Sequence, residues 1–146
     1  MNKTWTIPAI RMKAGEAHIV PLAPATLAII EYQRSLTTGD AIFPGRGCAS
    51  MNETALMRVL RKLGYQHETV HGLRATFRIW CAEQTSYPRE IPELCLAHAV
   101  GSIVGQSYQR STLLDKRLEL MNDYASYCGK PQRMPLPASL TPAVGY

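Results

Sequence analysis

Two patterns share one histidine. His67, Glu68 and His71 spell H-E-x-x-H. On a continuous helix two such histidines lie on one face and can hold zinc, with the glutamate beside the metal-bound water. His71 and Arg74 spell H-x-x-R. At the start of a helix these two also share a face, and free backbone N–H groups with an added guanidinium suit a phosphate. The first pattern requires helix from His67 onward. Gly64 instead suits a position just past a helix end, and Thr69 before β-branched Val70 suits an N-cap. The new helix is therefore expected to begin near Thr69, which leaves His67 in the connection. A zinc peptidase stays as the alternative reading, with Glu90 and Glu93 available downstream and neither singled out as a third ligand. Taken alone, H-x-x-R is weaker still, because an arginine three positions after a histidine is usually surface decoration.

The elements that would position these residues follow from periodicity and punctuation. "TWTIPAI" alternates apolar and polar positions, "AHIVPL" is rich in β-branched residues, and "RMKAGE" between them supplies a turn with Gly15, so a hairpin is expected, with Lys13 at its tip. A helix is expected from Pro24, with Leu27, Ile30 and Leu36 near helical spacing. After the loop "AIFPGRGCASMN", Ser50 or Asn52 can cap "ETALMRVLRKLG", where Leu56, Val59, Leu60 and Leu63 form one apolar stripe. Leu73, Phe77, Trp80 and Cys81 recur at helical spacing beyond the quoted histidines. A short helix is expected after Pro92, then the glycine-punctuated "GSIVGQSYQRS". "LLDKRLELMNDYASYC" reads as an amphipathic helix carrying Leu114, Leu118, Met121 and Ala125. The fold class is mainly α with a small N-terminal antiparallel β-hairpin or sheet. One folded domain is expected over 1–130. From 131 to 146 the chain has four prolines and no period, and a flexible tail is expected there.

Composition narrows the class. The chain has 146 residues, enough for one domain with a core, and its 46% apolar and 18% charged residues are those of a globular protein. A formal net charge of +5 favours an anionic partner such as nucleic acid. The start, "MNKTWTIPAI", has no apolar signal region, and no apolar run reaches the roughly 18 residues of a membrane span. No membrane association is expected, and the cytoplasm or nucleoid is the expected location. Cys48, Cys81, Cys95 and Cys128 form no C-x-x-C pair. Free thiols are expected, with Cys81 and Cys95 as small core residues and no metal site.

The order of four weak signals is more specific than any of them. Lys13 in a hairpin turn, "HGLR", "LAH" ending at His98, and "SYQR" around Tyr108 resemble, in that order, the catalytic domain of the tyrosine recombinases, the phage integrase family. "WTIPAIRMKAGEAHIVPL", "IFPG", "HGLRATFRIWCAE", "LAHAVG" and "YQRSTLLDKRLELM" are all similar to prophage integrases, and the resemblance covers roughly residues 4 to 128. It implies an α+β catalytic-domain fold and site-specific DNA breakage and rejoining. A tyrosine oxygen attacks the scissile phosphate, forms a 3′-phosphotyrosine link and releases a 5′ hydroxyl, with no cofactor. By this resemblance Tyr108 is the nucleophile, Arg74 binds the non-bridging oxygens, and His71 bonds the phosphate and helps move the tyrosine proton. His98 donates to a phosphate oxygen and Lys13 is the general acid for the departing 5′ oxygen. Arg58, Arg61 and Lys62, opposite the apolar stripe of their helix, with Arg78 and Arg110, are candidates for DNA-backbone contact. The implied partners are double-stranded DNA at attachment sites and other integrase protomers.

The family pattern also has an arginine on a helix upstream of the hairpin, and Met1 lies only four residues before Trp5. The chain is therefore expected to be a fragment lacking that helix and the first strand, and to be nearly inactive alone. A non-catalytic DNA-binding remnant of the same fold is the second reading.

Overall fold

The computed structural model describes residues 3–45, 51–52, 54–98 and 112–130. Strands β1 (Thr4–Ile7) and β2 (His18–Pro21) form a two-stranded antiparallel sheet, in register from Thr4 opposite Pro21 to Ile7 opposite His18. The connection is longer than the sequence pattern suggests. Pro8 has no N–H to give a ladder, so β1 stops at Ile7 and the "PAI" residues turn into a short 3-10 helix, Ala9–Arg11. A further turn follows, closed by Gly15 N–H on the Met12 carbonyl at 2.9 Å, with Gly15 at φ +69°. That conformation favours glycine because it has no Cβ. Lys13 is one of the two exposed residues inside this turn.

Helix α1 (Pro24–Ser35) begins with proline at its first position, where a missing N–H costs nothing. Leu36, expected on its apolar face, is the C-cap and is exposed, because the helix ends one residue earlier. Before helix α2 (Thr54–Lys62), Asn52 Oδ1 accepts from the Thr54 N–H at 2.9 Å, as expected of a cap at that position; Ser50 lies outside the described residues. Gly64, at φ +92°, ends α2: its N–H bonds the Arg61 carbonyl and the Tyr65 N–H bonds the Leu60 carbonyl, the paired bonds of a Schellman motif. The apolar stripe of α2 is not buried among the described residues: Leu56, Val59 and Leu63 are exposed.

Helix α3 (Val70–Gln84) starts where Thr69 predicts, the threonine Oγ1 accepting from the Gly72 N–H at 2.9 Å. Helix α4 (Glu90–Cys95) corrects the expectation of a helix after Pro92. The proline sits inside the first turn, where no intrahelical N–H bond is required. Helix α5 (Thr112–Gly129) packs against α4, α1 and β2.

The core is the meeting of α3, α4 and α5. Phe77, Trp80, Cys81, Ile91 and Leu120 are buried together, and Leu120 is wholly inaccessible. Tyr124 and Tyr127 of α5 complete an aromatic cluster: Tyr124 meets Phe77 edge-on at 4.9 Å between ring centroids, and Tyr127 lies 5.4 Å from Trp80. Leu73, placed by periodicity on the same stripe as Phe77, is more than half exposed. It lies one turn before Phe77, near the start of α3. Cys81, Cys95 and Cys128 are free thiols, and Cys48 lies outside the described residues. Among the described residues no helix is long and apolar enough to cross a membrane.

Candidate functional site

The first turn of α3 decides between the two histidine patterns. Its cap at Thr69 leaves His67 and Glu68 ahead of the helix and puts His71 and Arg74 on it, one turn apart. The two histidines of H-E-x-x-H therefore share no helix face. Among the described residues no three His, Cys, Asp or Glu side chains are grouped so as to hold a metal ion.

Arg74 reaches across to the end of α4. One Nη donates to the Leu96 carbonyl at 2.6 Å and lies 3.0 Å from His98 Nε2. The His98 ring is delivered there by how α4 stops. Ala97 takes a left-handed conformation, φ +58°, its N–H bonds the Leu94 carbonyl, and the His98 N–H bonds the Glu93 carbonyl at 2.9 Å. These are again the two bonds of a Schellman motif, here without the usual glycine. An alanine in this region is strained, since its Cβ crowds the following carbonyl. The turn throws His98 back over α4, where its Nδ1 meets Glu93 Oε2. The other oxygen of Glu93 is ion-paired with Arg78 at 2.8 Å. Arg78 lies one turn after Arg74 on α3, so the chain of contacts runs Arg74, His98, Glu93, Arg78 and back to the same helix. One carboxylate is thus held between an imidazole and a guanidinium. The His98 bond and the Arg78 charge hold the Glu93 carboxyl below the usual carboxylate range.

Behind this cluster β2 and α5 are tied together by a buried arginine. Arg117 donates to the Ile19 carbonyl across 98 positions of chain, and its Nε has no partner among the described atoms. Next to Ile19, His18 hydrogen-bonds the Cys95 backbone. Burial lowers its pKa, and the charges of Arg117 and Arg74 add to that. Neither Glu93, Arg117 nor His18 was singled out by sequence. In the sequence Glu93 stands out only as one of two carboxylates downstream of H-E-x-x-H, and its spacing of five from His98 is no recognised pattern until the left-handed turn is known.

Lys13 and His71 are both exposed, and among the described residues neither is hydrogen-bonded to Arg74 or His98. Arg58, Arg61 and Lys62 are exposed on α2. Tyr108 and Arg110 lie outside the described residues. Of the tyrosines that are described near the cluster, Tyr124 is a packing residue: burial, with a contribution from the Cys128 thiol, pushes its phenol up to about 12. Tyr87 donates to Asp123 at 2.7 Å, and burial with that bond likewise pushes it to about 12.

Comparison with known proteins gives several relatives of one kind. The chain is 35% identical to prophage integrase IntA of Escherichia coli K12 over 125 residues, 83% of this chain and 30% of that protein. It is 34% identical to prophage integrase IntZ of the same strain over 127 residues, 85% of this chain and 31% of that protein. It is 31% identical to the integrase of Shigella phage Sf6 over 131 residues, 86% of this chain and 34% of that protein. The chain thus spans about a third of the length of the curated relatives it matches. No family model and no solved structure matches it.

Proposed function

The chain is a relative of the phage and prophage integrases, and from that premise we propose that it supplies catalytic residues for site-specific DNA recombination of the tyrosine type. The observation that carries the reading is the meeting of Arg74 and His98. These residues stand 24 positions apart, Arg74 on α3 and His98 just past the end of α4, and come within 3.0 Å of each other at an exposed surface. A guanidinium and an imidazole so held are suited to a phosphodiester: both can turn N–H groups towards the non-bridging oxygens, where charge builds as a nucleophile adds.

The proposed step is an in-line exchange at phosphorus. The Tyr108 oxygen bonds to the scissile phosphorus and its proton passes towards His71. The bond to the 5′ oxygen breaks, and that oxygen takes a proton from Lys13. The 3′-phosphotyrosine conserves the diester, so a second 5′ hydroxyl reverses the step without an external energy source. Lys13 on an exposed turn and His71 on the first turn of α3 are free to adjust to bound DNA, whereas Arg74 and His98 are held ready. The partners are double-stranded DNA at attachment sites and further integrase protomers, in the bacterial cytoplasm at the nucleoid. Arg58, Arg61 and Lys62, with Arg78 and Arg110, supply backbone contact.

The test joins this chain to the preceding part of IntA and offers a nicked duplex carrying that relative's attachment site. A covalent protein–DNA adduct is expected, and it disappears in Tyr108→Phe. DNA binding without any adduct favours the second reading, a non-catalytic binding remnant of the same fold.

A further inference from the structure

The geometry around His98 fixes more than its position. Arginine has no acceptor atom, so its 3.0 Å approach to His98 Nε2 is a hydrogen bond only if the guanidinium donates and Nε2 offers a lone pair. The single ring proton of the neutral imidazole then sits on Nδ1, and Glu93 Oε2 is there to accept it. Glu93 holds the same residue a second time, its backbone carbonyl bonding the His98 N–H at 2.9 Å. Its other carboxylate oxygen is anchored by Arg78 at 2.8 Å, and its side chain is only 17% exposed. Among the described residues the charged neighbours of the ring are Glu93 from α4 and Arg74 from α3, with Arg78 beyond the carboxylate. His18 on β2 and Arg117 on α5 are within electrostatic reach of the Arg74 side.

From this we propose that Glu93 is a positioning residue: it holds His98 as the Nδ1–H tautomer and presents Nε2, together with the Arg74 guanidinium, as the face that meets an anion. The proposal deepens the recombinase reading and rests on it for the identity of that anion, a DNA phosphodiester. When the anion draws the Arg74 donor away from His98, Nε2 is the one ring atom left to take a proton from solvent. The resulting Nε2–H donates to the anion while Nδ1–H stays on Glu93. Once Arg74 has turned to the anion, the carboxylate alone distinguishes the two ring nitrogens, and without it the ring is free to turn. Glu93 touches no reacting atom in this scheme and acts only through His98.

The experiment reads the ring directly, on the full chain. Nitrogen-15 spectra of the His98 imidazole near pH 8 are expected to show Nδ1 protonated and Nε2 bare, with that tautomer preferred by about tenfold or more, the weight of one charge-assisted hydrogen bond. In Glu93→Ala the preference weakens, because only the Arg74 donor still favours a bare Nε2, and it collapses when sulfate draws Arg74 away. In Glu93→Gln, whose amide oxygen can still accept from Nδ1–H, it is largely retained. The glutamine variant keeps the test decisive if the alanine variant does not fold, because it also frees Arg78: the Arg78 side-chain resonances shift while the His98 tautomer persists. A wild-type ring protonated on Nε2, or a Glu93→Ala ring unchanged in a folded chain, overturns the proposal. Titration with sulfate, whose charge is constant over this range, separates the two claims. A locked tautomer with shifts at Arg74 and His98 on adding sulfate supports both. A locked tautomer with no response to sulfate upholds Glu93 in its role and counts against the phosphodiester reading alone.

Discussion

The cluster at the α3–α4 junction and the exposed hairpin with α2 carry the same kinds of side chain, yet they are built in opposite ways. Arg74 and His98 are each fixed by at least two bonds, and α3, which bears the first, and α4, whose end delivers the second, share a core around Phe77, Trp80, Ile91 and Leu120. Lys13 stands on a turn, and Arg58, Arg61 and Lys62 stand on a helix with no buried residue among those described, its Leu56 and Val59 exposed. Groups that must meet charge as it develops gain from being held beforehand, since no reorganisation is then needed during reaction. Groups that only need to follow a DNA backbone gain little from rigidity. The contrast separates the firmly held pair proposed to bind the phosphate from side chains borne more loosely, whether proposed for proton transfer, as Lys13 is, or for backbone contact.

The largest way to test that contrast is through stability. Leu120→Ala, at the wholly buried centre of the α3–α4–α5 core, is expected to cost about 3–5 kcal/mol in urea unfolding, the transfer and cavity terms together. Leu63→Ala at the exposed end of α2 is expected to change stability by less than about 0.5 kcal/mol. Comparable losses would mean that α2 is as firmly seated as α3, and the distinction would fall. A smaller effect sharpens it within the cluster. Ala97→Gly removes a Cβ from a left-handed backbone and should raise stability by about 0.5–1 kcal/mol in the same assay, the relief of strain less the added freedom of the unfolded chain. The smallest concerns α2 alone. Arg61→Gln should leave the unfolding midpoint in place and lower the slope of DNA affinity against salt by about 0.9, one phosphate contact; an unchanged slope would remove Arg61 from the DNA-binding face.

Much of this architecture is readable before any coordinates, because capping signals act locally. Thr69, Gly64, Asn52 and Pro24 each mark a helix end through a bond or a fixed angle within four residues. The same locality explains the misreadings. Pro92 is a breaker in the middle of a helix but harmless in a first turn, and which applies depends on where α4 begins. Pro8 ends β1 although the apolar alternation continues through it. Leu73 fits the helical period, but the period does not say how far along α3 the partners extend. In the site, Arg74 and His98 stand out in the sequence by the order of motifs. Glu93 does not, because its link to His98 depends on a chain reversal at Ala97 that an alanine gives no reason to expect. His18 and Arg117 escape for a similar reason: their partners are main-chain groups far away in sequence.

That long link has a consequence for biosynthesis. The Ile19 carbonyl is fastened by a guanidinium that the ribosome adds 98 positions later. At ordinary translation speeds this leaves β2 without its tie for roughly 5–20 s. A nascent chain halted between residues 95 and 117 would therefore carry Lys13 on a hairpin fastened through His18 and Cys95 but not yet through Arg117.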